Sequence, residues 1–117
     1  MLFWFITHGH IVSKKLTIPR LLEELVEVPK EKWFMLGCWL KLSPDILRNI
    51  ATYYGGDDYY MMVMLCTWMK KGEEIKWSVV VDAVRNIEME GLAKKIASKY
   101  GIQFSKYYRV SFIFNYV

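Results

Sequence analysis

From about residue 16 to residue 100 the apolar positions recur with the period of a helix, and six segments separate. Over residues 17–27, Leu21, Leu22, Leu25 and Val26 form one face; Thr17 is placed to cap it and Pro19 is tolerated in its first turn. After Pro29, residues Trp33, Leu36, Gly37 and Leu40 follow the spacing i, i+3, i+4, i+7. A glycine on that inner face costs about 1 kcal/mol of helix propensity, so its place there predicts a close approach of another helix. The third segment opens with Ser43-Pro44-Asp45 (cap, proline at the first helical position, early carboxylate), continues through Ile46, Leu47, Ile50 and Tyr53, and stops at Gly55-Gly56. The fourth starts at Asp57-Asp58 and carries Met61, Met64, Leu65 and Trp68 before Gly72. The fifth places Trp77, Val80, Val81 and Val84 at the same spacing, although the run Val79-Val80-Val81 alone also reads as a buried strand. The sixth, residues 90–100, turns Leu92, Ala93, Ile96, Ala97 and Tyr100 inward, and Lys94, Lys95 and Lys99 outward.

Six short helices with short connections predict an all-α fold, a six-helix antiparallel bundle spanning residues 16–100. Its expected core is Trp33, Leu36, Leu40, Ile46, Ile50, Met64, Leu65, Trp68, Trp77, Val84, Leu92 and Ile96. The two ends break the period. Residues 1–15 begin MLFWFITHGHIV, which lacks the basic start and small-residue cleavage site of a signal peptide, and whose apolar run stops at Ile6. In residues 101–117, Val110, Phe112, Phe114 and Tyr116 alternate with Ser111, Ile113 and Asn115, the period of a strand. Both ends are read as non-helical aromatic flanks outside the domain, a short strand pair or sticky tails.

Composition narrows the class. Of 117 residues, 54% are apolar and 24% charged, enough to bury a core and too apolar for a disordered chain. No apolar run approaches the ~18–20 residues of a membrane span. Cys38 and Cys66 allow at most one disulfide; their apolar helical settings predict two buried thiols in a reducing, cytoplasmic environment. The net charge of +4 is unevenly spread. Residues 1–29 are neutral, an acidic stretch around Asp57, Asp58, Glu73 and Glu74 lies mid-chain, and the last 43 residues are basic. Opposed patches of this kind suit protein pairing better than a uniform phosphate-binding face.

Catalytic constellations fail on spacing. A Cys/His nucleophile pair would have to take His8 or His10 from the flank. Cys38 and Cys66 stand 28 apart without the paired spacing of a zinc site. Gly55-Gly56 lacks the following Lys-Ser or Lys-Thr of a phosphate loop, and Asp57-Asp58 reads as a helix cap before it reads as an acid pair. No cofactor is implied. Trp33, Met61, Met64, Trp68 and Trp77 fall on inward spacings, whereas Trp39, Met35, Met62 and Met69 fit the core less well and are candidate contact area.

The order of the segments is more specific than any one of them. Trp33-x-x-Leu36-Gly37-x-x-Leu40-x-Leu42 precedes Ile46-x-x-x-Ile50; then come Met64-Leu65-x-x-Trp68, Trp77 with Val80-x-x-Ala83-Val84, and Leu92-Ala93-x-x-Ile96. This series resembles the death domain family of the six-helix, Greek-key death-fold superfamily. In that family a W-x-x-L second helix, an M-L-x-x-W fourth and an L-x-x-A-L fifth recur in this order; Val84 stands here where leucine is usual. The resemblance implies a non-catalytic homotypic interaction module, an adaptor or modulator in apoptotic or innate-immune signalling. Its implied partners are other death-domain proteins or further copies of itself, met through asymmetric contacts. The candidate contact residues are Asp57 and Asp58 against Lys94 and Lys95, with Lys30, Lys32, Asp45 and Arg48 at the second and third helix starts. The rival expectation is a basic helical nucleic-acid-binding domain with the sixth helix as contact element; the modest charge and interspersed acids argue for no nucleic acid.

Overall fold

The computed structural model describes residues 15–55 and 59–104. The expected strand pair and the Asp57-Asp58 cap lie outside the described residues. Six α-helices and one 3-10 turn account for the regular structure, with no strand among the described residues. They are α1 (Ile18–Glu24), the 3-10 turn (Lys30–Lys32), α2 (Trp33–Trp39), α3 (Pro44–Tyr54), α4 (Tyr59–Lys71), α5 (Trp77–Asn86) and α6 (Glu90–Lys99). The valine run is helical. A helix buries Val80, Val81 and Val84 on one face with Trp77, a pattern that a two-residue period cannot supply.

Local chemistry explains where the helices begin. The Thr17 hydroxyl accepts from the Arg20 amide and the Ser43 hydroxyl from the Ile46 amide at 3.2 Å, each followed closely by a proline that has no amide hydrogen to satisfy. Two helices end alike. After α2, Lys41 N–H donates to the Cys38 carbonyl and Leu42 N–H to that of Gly37; after α5, Glu88 and Met89 repeat the pattern onto Arg85 and Val84. This paired closure requires a left-handed residue, which Lys41 (φ 71°) and Glu88 (φ 65°) supply; after α6, Gly101 (φ 70°) is left-handed too, and Ile102 N–H donates to the Ala97 carbonyl.

Packing runs α1 on α4, α4 on α3, α3 on α2, α2 on α5 and α5 on α6. Leu21, Leu36, Leu47, Met64, Leu65, Val80, Val84 and Ile96 meet in one core and are wholly or almost wholly buried. Gly37 is the close approach its position predicts: a Cβ there would lie 2.5 Å from Leu47 Cδ2 and 2.9 Å from Met64 Sδ. The chain past α6 returns to the bundle, with Ile102 and Phe104 packed against the core.

Several sequence expectations require correction. α1 ends at Glu24, three residues early, so Val26 is 77% exposed and Leu22 only half-buried. Tyr53, expected inward, is 79% exposed because the last turn of α3 extends past the body it packs on. Trp33 and Ile46 are half-buried. Trp33 lies over the Tyr60 ring (centroids 5.4 Å apart) and donates its indole N–H to the Val28 carbonyl at 3.0 Å, so it caps the core rather than filling it. The cysteines differ from expectation too. Cys38 is half-buried, burial raising its thiol pKa, while Cys66 is exposed on the far side of α4.

Candidate interaction surfaces

The six helices leave three surfaces worth following, and the first joins α6 to α1. Lys94, Lys95 and Lys99 do emerge from α6 on its exposed side. Two of them are already engaged: Lys95 Nζ pairs with Glu27 at 2.7 Å, and Lys99 Nζ with Glu24 at 2.6 Å. Glu24 is only 7% exposed, and it also accepts from the Tyr100 hydroxyl at 2.8 Å. Tyr100 in turn stacks on Trp77, centroids 3.8 Å apart. A buried carboxylate needs such partners, because desolvation without them costs several kcal/mol. Burial first, then the bond to Glu24, raises the Tyr100 pKa; the bond to Glu24 raises that of Lys99. The lysine trio therefore fastens α1 to α6 as much as it faces water. Lys94 differs: its ammonium is 5.9 Å from the Phe104 ring, which also receives the buried Arg85 guanidinium at 4.1 Å.

The other charged candidates separate by role. Asp57 and Asp58 lie outside the described residues, so their distance from Lys94 and Lys95 is not part of the picture. Lys32 is half-buried and donates to the Ile87 carbonyl at 2.8 Å, placing a cation at the C-terminal end of α5, where the helix dipole favours it. Lys30 is exposed, 5.9 Å from the Trp33 ring. Asp45 and Arg48 pair with each other across one exposed turn of α3. The four do not form one patch of a single sign.

The second surface is only partly read from helical spacing, which marks Met62 and Met69 as candidate contact area but does not join them to Val63, Cys66 and Ile18. α4 is apolar on both sides: Met61, Met64, Leu65 and Trp68 enter the core, while Met62, Val63, Cys66 and Met69 line an open groove of about 430 Å³ with Ile18, Thr67 and Lys70. The signal was present in the unbroken apolar run from Met61 to Cys66, which leaves α4 without a polar face. The third is a more polar cleft of about 680 Å³ where α2, α4 and α5 meet, walled by Trp39, Val79 and Ala83 and rimmed by Lys41, Lys71, Glu73 and Asp82. Burial raises the Asp82 carboxyl pKa, and the nearby Arg85 charge partly offsets this.

Among the described residues no cluster of three or more His, Cys, Asp or Glu could hold a metal ion, and no helix is long and apolar enough to cross a membrane. Comparison with known proteins gave no match: no family model, no curated protein and no solved structure matches this chain.

Proposed function

We propose that this chain is a homotypic protein-interaction module of the death-domain type, non-catalytic and cytoplasmic, acting as adaptor or modulator in signalling assemblies of the apoptotic or innate-immune kind. One observation carries the reading. The motif residues that prompted the resemblance sit on successive helices and meet in, or pack against, a single core: Trp33, Leu36 and Gly37 on α2, Ile46 and Ile50 on α3, Met64, Leu65 and Trp68 on α4, Trp77, Val80 and Val84 on α5, and Leu92 and Ile96 on α6. Such a core leaves the helix exteriors as the working surface. Those exteriors carry exposed apolar area at Phe34 (38%) and Met35 (49%), the groove of α4 and the Lys94 end of α6. Contacts that use different patches on neighbouring molecules do not close, so they extend into open stacks.

The nucleic-acid reading loses support from the same geometry. Its contact helix would be α6, and there Lys95 and Lys99 are paired to carboxylates of the chain itself. The test is binding of the purified chain to itself and to a panel of death domains, by sedimentation at rising concentration and by pull-down. Concentration-dependent association, or capture by a death domain, supports the proposal. A chain that stays monomeric, ignores every death domain and binds DNA of any sequence with a steep salt dependence overturns it.

A further inference from the structure

The apolar groove of α4 has a candidate occupant within this chain. We propose that the N-terminal apolar residues Leu2, Phe3, Trp4, Phe5 and Ile6 seat in the groove between Ile18 and the outer side of α4, covering Met62, Cys66 and Met69. The proposal goes beyond the interaction-module reading and stands whichever partner the bundle takes.

Three observations select this occupant. The groove is apolar, with its charge confined to Lys70 at one end, and an apolar surface of this kind gains from being covered. Ile18, one wall of the groove, is the first residue of α1, so the chain arrives at the groove itself; 17 residues precede Ile18, and the most apolar of them are Leu2 to Ile6. The lengths also agree. From Met62 to Met69 the helix advances about 10 Å, at ~1.5 Å per residue. Five residues of chain reach about 13 Å end to end, at ~3.3 Å per step. The twelve steps between Ile6 and Ile18 allow about 40 Å of travel, ample for the chain to double back. The other aromatic flank is less well placed, because it leaves from Phe104, which packs over Arg85 and beside Lys94 at the α5–α6 corner.

Burying Phe and Trp side chains there would remove large apolar area from water.

Cys66, exposed in the groove, is the reporter. In full-length chain carrying Cys38→Ser, so that Cys66 is the one thiol, the rate of its alkylation by a maleimide is compared with that of the same chain carrying Phe3→Ser, Trp4→Ser and Phe5→Ser. The expected result is a rate at least tenfold higher in the substituted chain, with unchanged helical circular dichroism. Equal rates overturn the proposal. So does protection of the parent that grows with protein concentration, which would assign the groove to a second copy, or release by Phe112→Ser with Phe114→Ser instead, which would assign it to the C-terminal flank. A second measurement does not depend on those serine variants. Phe5→Cys in the Cys38→Ser background should form a disulfide with Cys66 within one monomer under oxidised glutathione, seen by mass after digestion. Absence of that intramolecular bridge speaks against the contact. Failure of death-domain binding would leave both readouts unchanged, so the two proposals fail separately.

Discussion

The helix ends show how a single residue can carry strain that a neighbouring helix repays. Lys41 and Glu88 hold left-handed backbone, a region that costs a non-glycine residue about 1–2 kcal/mol. The hydrogen bonds that close α2 and α5 need that geometry, and no sequence rule marks it, because glycine is the usual signal and it appears only at Gly101. Lys41→Gly and Glu88→Gly should each stabilise the fold by roughly 0.5–1 kcal/mol, the strain relieved less the extra chain entropy of glycine. Chemical denaturation of the two variants checks this; a loss of stability in both would mean that the native side chains are held by contacts worth more than the strain. The tryptophans give a second residue-scale test. Trp68 is 1% exposed and Trp33 half-buried, so Trp68→Ala should cost about 3–5 kcal/mol and Trp33→Ala clearly less. Paired denaturant midpoints settle the order, and a larger loss at Trp33 would contradict the burial found here.

At the scale of elements, α1 is the helix with most riding on few contacts. It has seven residues, too short to persist alone, and is held by Leu21 and Leu25 against the core and by Glu24 against Tyr100 and Lys99. Tyr100 and Lys99 both hold their protons more tightly in the fold than in the open chain. Their contribution is therefore complete below about pH 10 and is lost as pH rises through their raised folded-state values. Thermal melts should show stability falling above pH 10, with a shallower fall in Tyr100→Phe; an identical slope in that variant would detach the cluster from the effect. This cluster was only half legible beforehand. Spacing put Tyr100 inward and the lysines outward correctly, but Glu24 looked like one more solvated acid until α1 and α6 were brought together.

For the whole molecule, charge and surface shape matter more than any motif. Among the described residues Lys94 makes no ion pair and lies 5.9 Å from the Phe104 ring, whereas Lys95 is spent on Glu27. Lys94→Glu should then leave stability within about 0.5 kcal/mol of the parent, as an exposed substitution does. If α6 meets neighbouring molecules, the same variant should weaken their association at low salt, since complementary charge chiefly sets encounter rate and register. Sedimentation velocity of parent and variant at matched concentration reads both; unchanged association would move the contact away from this helix. Lys95→Glu is the poorer probe, because it also sets two negative charges side by side between α1 and α6.

Local sequence determined which segments are helical, where α1 and α3 start and which residues form most of the core, because caps and a 3.6-residue period act within one turn of chain. It placed Gly37 at a close approach for the same reason, since Gly37 shares the inward spacing of Trp33, Leu36 and Leu40. The tertiary structure alone decided how far each face is covered. Tyr53 and Val26 have core spacing yet stand in water: residues 51–55 at the end of α3 are all exposed, and the end of α1 at Glu24 turns Val26 outward between buried Leu25 and Val28. It also decided that Lys32, Lys95 and Lys99 bind their own fold rather than await a partner, and that α4 keeps a second apolar side facing out. Burial and pairing depend on what lies across from a residue, and residues distant in sequence supply that only once the helices have packed.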